Sequence, residues 1–568
     1  MILEIKDFCV DFKTENGMYR AVNKLSFRLK KGETLGIVGE SGSGKSVTAL
    51  SIMRLLKTPD YHGHIFFYNK EGEAVDLLQL PSKQLRSFRG KRIGMIFQEP
   101  MTSLNPSMRC GTQISEVLQL HEKMNKQQAK QRTLQLLEEV MLPDPEKIFK
   151  AYPHEISGGQ KQRVMIAMAI CCNPEILIAD EPTTALDVTV QKTILELLRD
   201  LQRKYRISII FITHDLGVVA QIAHSAIVMY KGEKVEEADI NTLFKNPQHS
   251  YTQGLLACRV PLHLRYDKLP TVSSFMESKS GKGKTQEEPK LISAAEWKTK
   301  SDSLYRNTPL LSIKNLNKTY PLPKAFGKKR NYFHALEGIN FELYEGETLG
   351  LVGESGCGKT TLGRSILRLI QVDKGEIIYK GKDIGKLNAS QMRTLRKDLQ
   401  IIFQDPYSSL NPRYTVGMAI MGPMKLHGIL HSDKERKQLI IDLLKRVNLE
   451  EKHFYSYPHE FSGGQRQRIC IARALALNPK IIVCDESVSA LDVSVQAQVL
   501  NLLNELKEEF KITFIFISHD LSVVKFMSDR IIVMKNGKIQ EVNTADQVYE
   551  NPQTDYTKHL INAIPQVI

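Results

Sequence analysis

The chain has 568 residues, of which 42% are hydrophobic and 25% charged, and a formal net charge of +15. The length allows more than one domain, and no apolar run approaches the roughly 18 residues that would predict a membrane-spanning helix. The N-terminus lacks the basic and apolar regions of a signal peptide, and the charge alone does not decide between an anionic membrane surface and nucleic acid as a partner.

The first motif in chain order is a glycine-rich loop that follows an apolar run. The loop Gly39-Glu40-Ser41-Gly42-Ser43-Gly44-Lys45-Ser46 has the form G-x-x-x-x-G-K-[ST], and the same form returns from Gly353 to Thr360. In such a loop, backbone N–H groups surround the phosphates, the lysine reaches the β and γ oxygens, and the hydroxyl binds Mg²⁺. We therefore predict two bound nucleotides. The predicted contacts are Gly39, Ser41, Gly42, Gly44, Lys45, Ser46 and Val47 in the first loop, and Gly353, Ser355, Gly356, Gly358, Lys359, Thr360 and Thr361 in the second.

The sequence that follows each loop also repeats. Asp180 and Asp485 lie 305 positions apart, as do His214 and His519. Solenoid repeats have periods of roughly 20–50 residues, so a period of this size indicates two duplicated domains. In both copies, apolar strands alternate with amphipathic helices, which favours a mostly parallel α/β core.

The copies divide the chain into three predicted parts. These are a first domain at 1–262, a linker at 263–308 and a second domain at 309–568. Much of the linker, from Ser273 to Asn307, is rich in Lys, Ser, Glu and Gly, and we interpret it as a flexible tether.

The next motif is a serine followed by two glycines and a glutamine. It reads Ser157-Gly158-Gly159-Gln160 in the first copy and Ser462-Gly463-Gly464-Gln465 in the second, and each opens a helix with an apolar and small-residue face. The serine caps the helix, the glycines leave the backbone exposed, and the positive end of the helix dipole points outward. The motif lies too far along the chain from its own glycine-rich loop to share that loop's phosphates. We therefore expect each motif to bind a phosphate held by the other copy.

Each copy then ends an apolar strand with two acidic residues, Asp180-Glu181 and Asp485-Glu486. A carboxylate at the end of a buried strand beside a phosphate-binding loop can hold Mg²⁺. The glutamate after it would face the attacking water and act as base or positioning group.

Taken in order, these motifs resemble the nucleotide-binding domains of ABC transporters over nearly all the chain outside the linker. The resemblance implies two tandem P-loop NTPase domains, each with a RecA-like parallel sheet, an antiparallel β region and a helical subdomain. In this family the Ser-Gly-Gly-Gln motif is called the signature. The resemblance also assigns further roles: Gln98 and Gln404 match the Q-loop glutamine, Asp187 and Asp492 the D-loop aspartate, His214 and His519 the switch histidine, and Phe12 and Tyr320 the aromatic that stacks on adenine. Tyr19 is an alternative to Phe12.

The family mechanism implies head-to-tail packing of the two domains around two ATP molecules with Mg²⁺. One site would comprise Lys45, Ser46, Gln98, Asp180, Glu181 and His214, closed by Ser462, Gly463 and Gly464. The other would comprise Lys359, Thr360, Gln404, Asp485, Glu486 and His519, closed by Ser157, Gly158 and Gly159. The predicted catalytic residues are Glu181, His214, Glu486 and His519, and the predicted metal ligands are Ser46, Gln98, Asp180, Thr360, Gln404 and Asp485. Neither copy lacks a motif, so both sites are expected to hydrolyse ATP.

Several motifs are similar to those of importer ATPases for dipeptides, oligopeptides, nickel and glutathione. They are Phe-Gln-[Glu/Asp]-Pro with Ser-Leu-Asn-Pro, Tyr-Pro-His-Glu before each signature, and a tail related to Asn-Pro-x-His-Pro-Tyr-Thr at Asn246 and Asn551. This resemblance implies two integral-membrane permeases and a substrate-binding protein as partners, at the cytoplasmic face of the inner membrane beside an anionic lipid surface. It implies no nucleic acid, and it leaves the solute open among dipeptides, longer peptides, glutathione, nickel complexes and microcins.

The cysteines bear on compartment and cofactor. The eight cysteines include no C-x-x-C pair, and five lie in apolar stretches or in a glycine-rich loop. We therefore expect reduced, packed thiols and a cytosolic compartment. Some similar ATPases carry an iron–sulfur cluster on cysteines after the tail; only Cys258 is present here, so we expect no cluster.

Two other classes of twin-domain ATPase were compared with these motifs. A ribosome-binding translation factor of the same superfamily would suit the positive charge. Its motif at the acidic pair, however, resembles Asp-Glu-Pro-Thr-Asn-His-Leu-Asp. This chain instead has Asp-Glu-Pro-Thr-Thr-Ala-Leu-Asp from Asp180 to Asp187, which favours the transporter class. A DNA-repair ATPase would need a coiled-coil or zinc insertion, and the sequence shows no sign of one.

For the transporter class, we expect a permease helix to dock on the segment between glutamine and signature, in a groove lined by Met101, Leu104, Tyr407 and Leu410.

Overall fold

The computed structural model describes residues 1–14, 17–69, 71–98, 103–184, 186–261, 264–279, 289–293, 296–297, 304–322, 331–489 and 491–564. Within these residues, the first domain contains ten strands in two sheets. They are β1 (Leu3–Thr14), β2 (Gly17–Leu29), β3 (Thr34–Val38), β4 (Pro59–Tyr68), β5 (Ala74–Asp76), β6 (Ile93–Ile96), β7 (Ile176–Asp180), β8 (Ser208–Thr213), β9 (Ser225–Tyr230) and β10 (Glu233–Asp239). The antiparallel sheet has the order β2-β1-β4-β5, and the second sheet has the order β10-β9-β3-β8-β7-β6.

The second sheet is the parallel core of the domain. Its strands β6, β7, β8, β3 and β9 run parallel, and only β10 is antiparallel to its neighbour. β3 and β7 are buried at every residue because the antiparallel sheet and the helix Lys45–Ile52 cover one face of the sheet, and other helices cover the second face. The first domain's helices are Lys45–Ile52, Ser82–Phe88, Cys110–Glu122, Lys126–Glu139, Pro145–Lys150, Gly158–Ile170, Val188–Tyr205, Leu216–Ile222, Ile240–Lys245, Ser250–Ala257 and Val272–Lys279.

The second domain repeats this architecture. Its strands are β11 (Leu311–Pro321), β12 (Tyr332–Leu343), β13 (Thr348–Val352), β14 (Lys374–Tyr379), β15 (Lys382–Asp383), β16 (Leu399–Ile402), β17 (Ile481–Asp485), β18 (Thr513–Ile517), β19 (Arg530–Lys535) and β20 (Lys538–Thr544). The sheet orders are β12-β11-β14-β15 and β16-β17-β18-β13-β19-β20. Its helices are Lys359–Ile366, Ala389–Leu395, Pro406–Ser409, Val416–Leu426, Asp433–Arg446, Gly463–Leu475, Val493–Phe510, Leu521–Met527, Ala545–Glu550 and Asp555–Asn562. The predicted fold class is confirmed.

The two domains share one hydrophobic core cluster. It contains buried residues of the first domain, such as Leu255 and Val272, together with buried residues of the second, such as Leu500 and Val523. Each domain also has a separate cluster between its antiparallel sheet and its parallel core. The contact between the domains is therefore partly apolar.

The described part of the predicted linker from residue 264 to residue 279 contacts both domains. The helix Val272–Lys279 packs on the helix Ser250–Ala257 of the first domain, with the Cα atom of Val272 close to Gly254. Asn501 of the second domain exchanges two hydrogen bonds of 2.8 Å with the backbone of Leu269. Leu269 and Val272 precede Ser273, so the flexible tether predicted from Ser273 to Asn307 stays a prediction. The residues 280–288, 294–295 and 298–303 lie outside the described part.

Arg265 is a second anchor in this segment. Its guanidinium lies 3.5 Å from the ring centroid of Trp297 and donates hydrogen bonds to the carbonyls of Lys525 (3.1 Å) and Ser528 (3.0 Å). These carbonyls end the helix Leu521–Met527, where a cation is favourable because of the helix dipole. We call the described residues 264–279, 289–293 and 296–297 the strap.

The segment between glutamine and signature in each domain is called the helical insert below. Three further outcomes concern this insert, the cysteines and membrane spans. Leu104 and Leu410 are 1% and 3% exposed, so they belong to the core of the insert and do not line a groove, which corrects that expectation. Tyr407 is 64% exposed, and Met101 lies outside the described residues. All eight cysteines are described, and each is a buried free thiol, as expected. In the described ranges, no helix combines the length and apolarity needed to cross a membrane.

Candidate nucleotide-binding sites

Each glycine-rich loop connects a buried strand to a helix. β3 leads into the first loop, and the helix Lys45–Ile52 begins after Gly44, whose φ of 98° is in the left-handed region that glycine tolerates. The ammonium group of Lys45 donates to the carbonyl oxygens of Gly39 (2.7 Å) and Glu40 (2.8 Å). Lys359 makes the same contacts in the second loop, at 2.6 Å and 3.0 Å. The two lysines therefore lie inside their loops, where their ammonium groups could reach the phosphates of a bound nucleotide.

The aspartate of each acidic pair contacts the loop hydroxyl. The Ser46 hydroxyl donates to Asp180 at 3.0 Å, and the Thr360 hydroxyl donates to Asp485 at 2.9 Å. Burial raises the pKa of Asp180 to about 6, and the neighbouring charge of Glu181 adds to this effect. Burial likewise raises the pKa of Asp485. A buried carboxylate beside a hydroxyl is an oxygen donor set that suits Mg²⁺. The charge of the bound ion would lower the free-energy cost of ionising the buried carboxylate.

Glu181 lies among three predicted site residues and one that sequence analysis missed. Its backbone is left-handed, with φ 47°. Its carboxylate accepts hydrogen bonds from Gln98 Nε2 (3.1 Å) and from the hydroxyl of Thr184 (2.8 Å), and lies 3.4 Å from His214 Nδ1. Burial opposes ionisation, but the hydrogen bond and charge of His214, with help from Thr184 and Lys45, hold the pKa of Glu181 at about 2. The carboxylate is therefore ionised and oriented.

Glu486 repeats most of this arrangement. Gln404 Nε2 donates to it at 2.7 Å, His519 Nδ1 lies 3.7 Å away, and its φ is 50°. Burial opposes ionisation here too, yet His519 holds the pKa of Glu486 below its usual value. The copies differ at the next turn, because the hydroxyl of Ser489 donates to the backbone carbonyl of Glu486 and not to its carboxylate.

Each loop also contacts the opposite domain. Asp492 of the second domain accepts hydrogen bonds from the N–H (3.0 Å) and the hydroxyl (3.1 Å) of Ser41 in the first loop. In return, Asp187 of the first domain accepts from the N–H of Ser355 in the second loop at 3.3 Å. The Ser494 hydroxyl donates to the carboxylate of Glu40. This reciprocal arrangement is head to tail.

The signature motifs begin helices beside these interdomain contacts. The Ser157 and Ser462 hydroxyls cap their helices by accepting from the N–H three residues on, at 3.3 Å and 3.4 Å. Among the described residues, a Cβ atom built on Gly158 would meet nothing within 4 Å, and one on Gly463 would meet only Leu491, at 4.0 Å. The third motif residues, Gly159 and Gly464, pack tightly on the helices that follow Asp187 and Asp492. The exposed turn of each signature therefore adjoins the element that contacts the opposite loop.

Paired aromatic residues lie at the edge of each antiparallel sheet. Phe12 on β1 is opposite Tyr19 on β2, and Tyr320 on β11 is opposite Phe333 on β12. Phe12 packs in part against the core, whereas Tyr19, Tyr320 and Phe333 are 55%, 37% and 47% exposed. Sequence analysis missed Phe333, which has no counterpart motif and became visible only through the strand register.

Two family models match this chain. One, described as ABC transporter, matches residues 22–184 and 336–489. The other, described as the C-terminal region of oligopeptide/dipeptide transporters, matches residues 235–282 and 540–567. The chain belongs to the ABC transporter family, and it is an ABC-type ATPase with two tandem nucleotide-binding domains.

The chain is also similar to several named proteins. The glutathione import ATP-binding protein GsiA of Pectobacterium atrosepticum is 46% identical, and that of Salmonella typhimurium 47%; each comparison covers 99% of this chain and 89% of the relative. Among solved structures, the dimeric post-hydrolysis state of the ATP-binding cassette MJ0796 with ADP and Pi is 31% identical at a TM-score of 0.38, covering 41% of this chain and 98% of that one. CbiO1 from Clostridium perfringens, part of the ABC transporter complex cbiONQ, is 26% identical at a TM-score of 0.38, covering 43% and 92%.

Proposed function

We propose that this chain supplies the ATP hydrolysis that drives an importer for peptides or related small solutes. The observation that carries the proposal is the reciprocal contact of Asp492 with the first phosphate-binding loop and of Asp187 with the second. It supports two ATP sites at one interface, so that nucleotide binding and domain closure are coupled. Glutathione is the first solute to test, because the relatives named above import it.

Each proposed site divides its work among the residues described above. The loop amides and Lys45 or Lys359 bind the phosphates, and the signature of the other domain closes the site. Mg²⁺, held by the loop hydroxyl, the aspartate and the Q-loop glutamine, would neutralise phosphate charge. The proposed ligands are Ser46, Gln98 and Asp180 in one site and Thr360, Gln404 and Asp485 in the other. Phe12 and Tyr320 would stack on adenine.

Glu181 and Glu486 are the proposed general bases or water-positioning groups. Each is ionised, and each is held by a glutamine and a histidine, which fixes the carboxylate in one orientation. The glutamine lies where the helical insert joins the core, so a movement of the insert would reach the base through a single side chain. That link suits transmission of nucleotide state to a membrane partner.

The proposed partners are two integral-membrane permeases and a substrate-binding protein, with the chain bound at the cytoplasmic face of the inner membrane. The net charge of +15 supports an additional attraction to anionic lipid. In the second insert, Tyr407 is 64% exposed although its ring stacks on the guanidinium of Arg466 at 3.6 Å. An aromatic ring that is held rigid and exposed is a suitable contact for a permease helix.

The test is site-directed cross-linking in membranes that contain the two proposed permeases. A cysteine at Tyr407 should cross-link to a permease, whereas one at Met18, which is 59% exposed on β2, should not. The native cysteines are buried and give a low background. Uptake of labelled glutathione, with a dipeptide as competitor, then assigns the solute. Cross-links from Tyr407 to ribosomal RNA, or equal labelling from Met18, would contradict the importer assignment.

A further inference from the structure

A tyrosine in the tail of each domain contacts the phosphate-binding loop of the same domain. The hydroxyl of Tyr251 accepts a hydrogen bond from the N–H of Glu40 at 3.0 Å, and the hydroxyl of Tyr556 accepts from the N–H of Glu354 at 3.1 Å. Tyr251 is 0% exposed and Tyr556 is 9% exposed. The two residues come from the Asn-Pro tails at Asn246 and Asn551, far along the chain from the loops. The same contact therefore occurs twice, in matching positions.

The peptide group that receives this contact is also held by the loop lysine. The peptide between Gly39 and Glu40 has its carbonyl oxygen 2.7 Å from the Lys45 ammonium and its N–H bonded to Tyr251. In the second domain, the carbonyl of Gly353 lies 2.6 Å from the Lys359 ammonium. Lysine and tyrosine thus act on opposite ends of one peptide group, whose rotation would break both contacts.

Each tail is fixed independently of the loop. Glu236 on β10 accepts from the N–H groups of Gln248 (2.7 Å) and His249 (3.0 Å), immediately before Tyr251. The Tyr251 ring lies 4.3 Å from the ring of Tyr230 on β9. Burial raises the pKa of the Tyr251 hydroxyl, so it stays neutral and available as an acceptor.

The second tail uses the equivalent acid. Glu541 on β20 accepts from the N–H groups of Gln553 (3.1 Å) and Thr554 (3.4 Å) and from the hydroxyl of Thr557 (2.7 Å). The hydroxyl of Tyr556 is therefore placed by the sheet and not by the loop that it contacts. A rigid acceptor of this kind can orient a backbone N–H without adapting to it.

We infer that Tyr251 and Tyr556 are positioning residues that hold the first peptide group of each phosphate-binding loop in the orientation needed for nucleotide binding. The loop lysine must exchange the carbonyl oxygens of the loop for phosphate oxygens, and the tyrosine keeps the peptide group in place during that exchange. The inference rests on the proposed nucleotide sites. It gives the tails matched by the oligopeptide/dipeptide transporter model a role at the sites themselves.

The experiment measures ATP binding at one site in the full chain. Lys359→Ala removes the second site, and Tyr251→Phe is then introduced, which deletes one hydroxyl and keeps the buried ring. We expect the dissociation constant of a fluorescent ATP analogue at the first site to rise about three- to tenfold, as for one lost hydrogen bond. The thermal unfolding midpoint should match that of the control Tyr230→Phe, which deletes the hydroxyl of the neighbouring ring.

A Tyr251→Phe variant that binds the analogue as tightly as Tyr230→Phe would overturn the inference. So would a loss of affinity that accompanies an equal loss of stability, since that indicates packing alone. Lys45→Ala in the same background separates the two proposals: if it retains binding, the site assignment itself is wrong. If Lys45→Ala loses binding and Tyr251→Phe does not, only the positioning role is wrong. Tyr556→Phe in the Lys45→Ala background repeats the test at the second site.

Discussion

At the scale of single residues, the two acidic pairs show how one strand end gives two carboxylates different properties. Burial raises the pKa of Asp180 to about 6, whereas His214 and Thr184 outweigh burial and hold the pKa of Glu181 at about 2. The two carboxylates therefore differ in how readily they ionise, which suits the roles proposed above for Asp180 as a metal ligand and Glu181 as a base.

The first prediction is that Glu181→Gln and Glu486→Gln together abolish ATP turnover and leave ATP binding intact. The amide keeps the size of the side chain but cannot accept a proton, while the loop and the signature still supply affinity. Each single variant should trap ATP in its own site. The measurements are phosphate release and retention of labelled ATP.

Glu175→Gln is the matched control, because that carboxylate pairs with Arg92 at 2.8 Å and takes no part in the proposed sites. It should hydrolyse ATP at the wild-type rate. A double Glu181/Glu486 variant that turns over near that rate would show that neither glutamate is the base.

At the scale of elements, the two glycines of each signature differ in the space around them. Among the described residues, a Cβ atom on Gly158 would meet nothing within 4 Å, and one on Gly463 would meet only Leu491. By contrast, a Cβ atom on Gly464 would lie 2.3 Å from Val495. The first glycine of each signature thus has room for a side chain, whereas the second packs so closely that a side chain would clash.

The second prediction follows from that difference. Gly463→Tyr should leave folding unchanged and lower hydrolysis at the site built on Lys45 by about 100-fold or more, because the ring separates signature and phosphates. Gly158→Tyr should do the same at the site built on Lys359. Photolabelling with an azido-ATP analogue, followed by peptide mapping, reports each site separately. Damage from Gly463→Tyr that is confined to the Lys359 site would contradict head-to-tail closure.

Some of these elements could be predicted from sequence, and others could not. The loops, acidic pairs and signatures are short motifs of neighbouring residues, so their order along the chain was enough to predict the family and the fold. The contact between Tyr251 and Glu40 joins residues far apart in the chain, and no local pattern marks it. Leu104 follows the glutamine closely, which suggested a groove, but its 1% exposure depends on how the insert folds.

At the scale of the whole molecule, the strap is the main difference between the halves. In the second domain, Arg265 holds the end of the helix Leu521–Met527, which begins two residues after the switch histidine His519. In the first domain, the equivalent edge near Arg199, Arg203 and His224 is an open pocket. The copies are alike at their nucleotide sites and unlike at the opposite edge of the sheet.

The third prediction concerns the stability of the second domain. Arg265→Ala removes two charged hydrogen bonds and the stack on Trp297, so we expect the free energy of unfolding to fall by about 2–4 kcal/mol. Lys268→Ala is the control; Lys268 pairs with Glu505 at 2.7 Å, but both side chains are more than half exposed, and such pairs contribute about 1 kcal/mol or less. Urea unfolding of the full chain measures both. Equal effects of the two variants would mean that the strap does not stabilise the second domain.

The position of the strap also limits how this protein can be divided. A break before residue 264 would remove Val272 and the helix that it begins from the first domain, where that helix packs on Ser250–Ala257. A break after residue 279 would remove Arg265 and Leu269 from the second domain, which they hold through Ser528 and Asn501. The same short stretch completes both halves. A split into two separately expressed halves therefore has no neutral breakpoint in this stretch, and complementation by co-expressed halves would need it supplied in both.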